Sequence, residues 1–186
     1  MRSLKGGFTL IELIVGIVLL AVALTGILGL LINQAPQAVD PVQQVRAAQL
    51  AQRLSGEILQ KSFDENSDHN GGRYRCGEQV AGVTIPACST RYGPDGEPAP
   101  YAYNDVDDFD TAGQWVDANT FTQTAAGVSS EEYRNYQLKI TVSAVDFSDG
   151  TFKRCTAPCS VGKRIELQIK LPDGSVLDFA FYRGNY

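Results

Sequence analysis

Residues 13–32 (LIVGIVLLAVALTGILGLLI) carry no charge, and a glutamate, Glu12, stands directly before them. As an α-helix rising 1.5 Å per residue, such a run spans about 30 Å, the hydrocarbon thickness of a bilayer. This one feature constrains the chain most. It demands a helix in an apolar medium, joined to whatever the rest can fold into. It also poses a problem, because a carboxylate at the edge of hydrocarbon is costly and calls for a partner. Without one, the glutamate would snorkel to the headgroups.

A secretory signal has basic residues, a shorter apolar run and a small-residue cleavage site after that run. Here the basic part is only MRSLK, and the glycine break, Gly6-Gly7, precedes the apolar run. The helix is therefore expected to be kept. Arg2 and Lys5 place the N-terminus in the cytoplasm and the rest of the chain outside it. The formal charge is -5, and loss of Arg2 and Lys5 with a leader would take it to -7 before a new amine is counted. That acidic balance argues against nucleic acid and against an anionic lipid surface as partners.

The order Gly7-Phe8-Thr9-Leu10-Ile11-Glu12, followed by the apolar run, resembles the type IV prepilin signature. The resemblance implies cleavage by a membrane prepilin peptidase between Gly7 and Phe8, then N-methylation of the new Phe8 amine. Glu12 lies one helical turn from that amine. In a filament its carboxylate can pair with a Phe8 amine, its own or a neighbour's. Two unit charges 4 Å apart at an effective dielectric of 20 attract by about 4 kcal/mol. Much of that offsets desolvation, so the pair is expected to fix register during assembly rather than to add much stability.

Beyond the run, Pro36 and Pro41 are expected to kink or break the helix. Residues 42–63 then read as an amphipathic helix, with Val42, Val45, Leu50, Leu54 and Ile58 on its apolar face and Ala47 and Ala51 nearby. Residues 64–131 are turn-rich. The C-terminal part alternates as strands do: Tyr136, Leu138, Ile140, Val142 and Ala144; Ile165, Leu167, Ile169 and Leu171; Leu177, Phe179 and Phe181. Pro172-Asp173-Gly174 signals a hairpin between the last two, and Asp149-Gly150 marks another turn. The expected fold is α+β, an antiparallel sheet of three or four strands packed on the helix, which the resemblance identifies with the pilin roll. The corresponding division is a leader at 1–7, a membrane and assembly helix at 8–35, an outer helix at 36–63 and a globular domain at 64–186.

Four cysteines in an exported domain suggest two disulfides, with three possible connectivities. The local pairs Cys76–Cys88 and Cys155–Cys159 are favoured. A four-thiolate zinc site lacks paired C-x2-C spacing. Two acidic loops offer oxygen ligands of the kind calcium takes. The first places Asp64, Asn66 and Asp68 at alternate positions. The second, NDVDDFD, holds Asn104, Asp107, Asp108 and Asp110. Solvated loops with Asx turns are the plainer reading, so no cofactor is expected, with calcium the one candidate. The DENSD run, the paired cysteines and NDVDDF also resemble MshD-type minor pilins of the mannose-sensitive haemagglutinin (MSHA) pilus.

The resemblance implies a structural subunit whose partners are major and minor pilins, met through the N-terminal helix, with the prepilin peptidase and an inner-membrane assembly platform. It would sit in the inner membrane before assembly and in a cell-surface pilus afterwards. A minor pseudopilin of a type II secretion system shares the same signature. A ligand-binding adhesin is a second class, with Tyr92, Tyr101, Tyr103 and Trp115 as a stacking surface, although such aromatics more often pack a local core. For an enzyme there is no nucleophile–base pair, phosphate loop or catalytic metal cluster in the sequence, and the only histidine is His69.

Overall fold

The computed structural model describes residues 9–68, 72–124, 131–156 and 158–186. The expected cleavage pair, Gly7 and Phe8, lies outside the described residues, as does His69. The chain divides into two units, Met1–Val42 and Gln43–Tyr186.

Helix α1 runs Leu10–Leu59. Helical assignment continues through Pro36 and Pro41, so neither proline ends it, although each removes one i→i−4 hydrogen bond. In the second unit the buried stripe is Ala47, Leu50, Ala51, Leu54 and Ile58. Val42 and Val45, expected on this face, are instead exposed. The helical period explains this. At about 100° per residue, Val45 points almost directly away from Leu54, and Val42 falls about 120° from it.

Five strands form one antiparallel sheet: β1 (Val116–Asp117), β2 (Gln137–Asp146), β3 (Lys153–Arg154), β4 (Gly162–Lys170) and β5 (Val176–Gly184). The order is β1-β2-β4-β5, with β3 paired to the far end of β2. The two extra strands, β1 and β3, have two residues each, too short for an alternation pattern to register. The long strands alternate as expected. Leu138, Ile140, Val142, Ile165, Leu167 and Ile169 are buried in one cluster with the helix stripe, and Leu177, Phe179 and Phe181 pack against it. The β4–β5 hairpin turns at Asp173-Gly174, where Gly174 has φ 88° and the Asp173 carboxylate accepts from the Ser175 N–H and hydroxyl. This is an N-terminal apolar helix leading to a helix–sheet α+β domain, the pilin architecture.

Between α1 and β2 the chain forms 3-10 turns, among them Asp107–Phe109. The segment leaving α1 runs beside this region. Ser62 N–H donates to the Asn104 carbonyl at 3.1 Å, and Val106 N–H donates to the Ser62 carbonyl at 3.0 Å. Asp64 is thereby placed near Asp105 and Asp107.

Candidate functional site

The N-terminal unit offers one feature, an apolar helical surface with a polar start. Residues Leu10–Gly29 are long and apolar enough to cross a membrane, with a mean hydropathy of 2.7. Every one of them is exposed. Glu12 occupies the first turn, and its N–H donates to the Thr9 hydroxyl at 3.4 Å. Thr9 is thus the helix N-cap and Glu12 its third residue, the T-x-x-E order of a capping box. Sequence reasoning gave Glu12 a role and passed over Thr9. The capping pattern before an apolar run was the signal for it. An acid in the first turn also complements the helix dipole.

The second feature is an ionic cage inside the globular unit. Lys163 is 1% exposed, in β4, in phase with Ile165, Leu167 and Ile169. Its ammonium donates to the Phe63 carbonyl at 2.6 Å, to Asp64 Oδ2 at 3.0 Å and to Asp107 Oδ1. The Phe63 and Tyr92 rings lie 4.6 and 5.5 Å from Nζ, within cation–π range. Asp64, Asp105, Asp107 and Asp108 are all buried. A buried charge demands partners, and the two loops supply them.

The carboxylates of the cage differ in their supports. Asp64 accepts from Ser89 N–H at 3.1 and 2.9 Å, from the Ser89 hydroxyl at 3.1 Å and from Asn66 N–H at 3.1 Å. Asp105 Oδ1 accepts from the Asp107 and Asp108 N–H groups. Burial, together with the charges of Asp107 and Asp108, nevertheless pushes Asp105 up to about 8. Burial also raises Asp107, opposed by Lys163, and raises Asp108, opposed by the N–H groups of Asn104 and Asp105. Tyr92 is pushed up to about 12, by burial first and then by the neighbouring carboxylates.

The residues considered as calcium ligands are therefore dispersed among several tasks. Asp64 and Asp107 hold Lys163. Asp108 Oδ2 accepts from Asn104 N–H at 2.9 Å, and Asp110 Oδ2 from Val142 N–H at 2.7 Å. Asp68 Oδ2 accepts from the Arg73 and Tyr74 N–H groups, and the Asn66 amide donates to the Ala87 carbonyl. A polar cavity of about 280 Å³ brings Asp64, Asp68 and Asn104 together with Ser62, Glu65 and Ser67. Asp64 and Asp68 enter it with protein donors already on their oxygens.

Cys76 pairs with Cys88, and Cys155 with Cys159. The first disulfide packs on Phe63, at the rim of the cage, and the Asn185 amide donates to the Cys76 carbonyl at 3.3 Å. Asp64 lies near both sulfurs, but in a disulfide they offer no thiolate to a metal. The four aromatics do not share a platform. Tyr92 and Tyr103 pack on the core, Tyr103 against Phe109 with centroids 5.0 Å apart. Trp115 lies beside the sheet's outer face, with Lys139 Nζ 5.0 Å and Lys170 Nζ 5.9 Å from its ring.

The family model of the prokaryotic N-terminal methylation motif matches residues 2–28. This is a type IV prepilin-like N-terminus. The match spans most of the expected leader, the Thr9 cap, Glu12 and most of the exposed apolar helix. Such a motif supports a type IV pilin-like or pseudopilin-like subunit, and it implies processing by a peptidase and assembly with other pilins in a membrane-anchored complex. No curated protein and no solved structure matches the chain.

Proposed function

We propose that this protein is a minor pilin of an MSHA-type type IV pilus, which serves attachment to surfaces. The observation that carries the reading is the wholly exposed apolar helix Leu10–Gly29, capped at Thr9 and bearing Glu12, within the methylation motif. The segment is solvent-incompatible as it stands and needs either lipid or copies of similar helices around it. Cleavage between Gly7 and Phe8 creates a charged amine one turn before Glu12. Methylation of Phe8 leaves that amine cationic. The helix then leaves the bilayer and packs among its neighbours, and the Glu12–amine pair sets its axial register. The globular unit faces solvent.

The test is intact-mass and N-terminal analysis of the protein from membranes and from sheared filaments. Methylated Phe8 as the mature start in filaments is expected. Full-length protein confined to the membrane would overturn the reading. Gly7→Arg should block maturation and leave the leader attached. Loss of protein secretion rather than of pili on deletion would favour the type II secretion system instead.

A further inference from the structure

The cage holds a primary amine against a carboxyl group in a water-poor pocket, with a second carboxyl touching the first. We propose that Lys163 and Asp107 become joined through an intramolecular isopeptide bond, with Asp105 as the acid–base group and Asp64 as the acceptor that holds Nζ in place.

The choice of Asp107 over Asp64 follows from their hydrogen bonds. Asp64 takes three hydrogen bonds from the two donors of Ser89, its N–H and its hydroxyl, and one from Asn66 N–H, so that both its oxygens are engaged. Its carboxyl cannot shed an oxygen as water without breaking some of these bonds. The Asp107 carboxyl is held by Lys163 and by the carboxyl of Asp105. Burial favours its neutral form, and Asp105 retains its proton to well above the ordinary carboxylate range. Within a buried pair, transfer of a proton from the ammonium to Asp107 converts two charges into a free amine and a carboxylic acid. The Phe63 and Tyr92 rings beside Nζ restrict water.

The step balances. The Nζ lone pair of Lys163 attacks Cγ of Asp107, while Asp105 donates its proton to the carboxyl oxygen. Nζ then returns a proton to Asp105, the Cγ–O bond breaks and water leaves. One N–C bond forms, one C–O bond breaks, nothing is oxidised or reduced, and Asp105 ends as it began. Fixed reactants of this kind reach effective molarities of about 10⁵ M or more, which offsets the reluctance of an amine and an acid to condense in water.

The experiment is peptide mapping by mass spectrometry of the full-length protein, purified from membranes, beside its Lys163→Arg and Asp105→Asn variants. Asparagine at 105 keeps the oxygen that accepts from the Asp107 and Asp108 N–H groups. The expected result in the unaltered protein is a branched peptide joining Lys163 to Asp107, lighter by one water, with trypsin unable to cut after Lys163. Lys163→Arg should contain no branched peptide, and Asp105→Asn should lose most of it. Ordinary tryptic cleavage after Lys163 in the unaltered protein would overturn the proposal. So would a water loss confined to Asp95-Gly96, Asp149-Gly150 or Asp173-Gly174, which is succinimide chemistry. A full yield of branched peptide in Asp105→Asn would overturn the role given to Asp105.

Discussion

Glu12 and Lys163 are both single charges set in apolar stretches, one in a helix and one in a strand. Lys163 is enclosed, and two distant loops of its own chain bring carboxylates to it. Glu12 is exposed on a helix whose flanking residues are exposed as well. The contrast separates folding from assembly. A charge compensated within the chain belongs to the stability of the domain. A charge that the folded chain leaves facing outward among apolar residues belongs to what the chain joins.

The contrast breaks most directly at Lys163. Measured against the protein before the Lys163–Asp107 bond has formed, Lys163→Met removes the cation and leaves two carboxylates buried, which should cost about 3–5 kcal/mol of domain stability by urea unfolding. A loss below about 1 kcal/mol would mean that the acids are solvated or simply protonated at little cost. Next in size is the Cys76–Cys88 disulfide at the cage rim. Its replacement by two serines should cost about 3 kcal/mol in the same assay, from loop-closure entropy alone.

Smaller again is the pH dependence. Asp105 and Asp108, and Asp107 while it is not joined to Lys163, titrate higher in the folded state than in the unfolded chain. The folded state therefore holds more protons between about pH 4 and pH 8. Their contribution is complete below the unfolded carboxylate range and is lost as pH rises through the folded values. Stability should fall with rising pH by on the order of 1 kcal/mol per unit at the steepest point. Asp105→Asn should flatten that slope. Asp146, Asp149 and Asp173 are lowered by their Ser148, Lys153 and Ser175 partners and act in the opposite sense, only in strong acid. The smallest expected effect sharpens the contrast from the other side. Glu12→Ala should leave domain stability unchanged within about 0.5 kcal/mol, while its recovery in sheared filaments drops. Equal recovery would remove Glu12 from assembly.

How much of this was legible in the sequence depends on whether the signal was local. The alternation in β2, β4 and β5, the Pro172-Asp173-Gly174 turn and the Leu50–Leu54–Ile58 stripe were legible, because each follows from short-range geometry. Val42 and Val45 were misplaced because counting apolar residues stood in for measuring their angle to Leu54. The cage was missed, although half its signal was local. Lys163 shares the period of Ile165 and Leu167, and a lysine in phase with a buried face has to find an acid. The other half was not local. Nothing in NDVDDFD says that Asp105 and Asp107 point inward rather than to solvent, since that depends on the pairing of Ser62 with residues 104–106. The expected cleavage between Gly7 and Phe8 rests on the order of residues alone, since both lie outside the described structure.

The separations within the cage set an order of events. Synthesis runs from the N-terminus, so Asp64 and Asp107 are made well before Lys163, which stands 99 and 56 residues further on. Until β4 arrives, the loops paired through Ser62 and residues 104–106 gather their acids without the ammonium of Lys163 between them. The cage thus serves as a late check on completion: a chain truncated before residue 163 cannot pair Asp64 and Asp107 with Lys163, and it should be cut by proteases more readily than the finished domain.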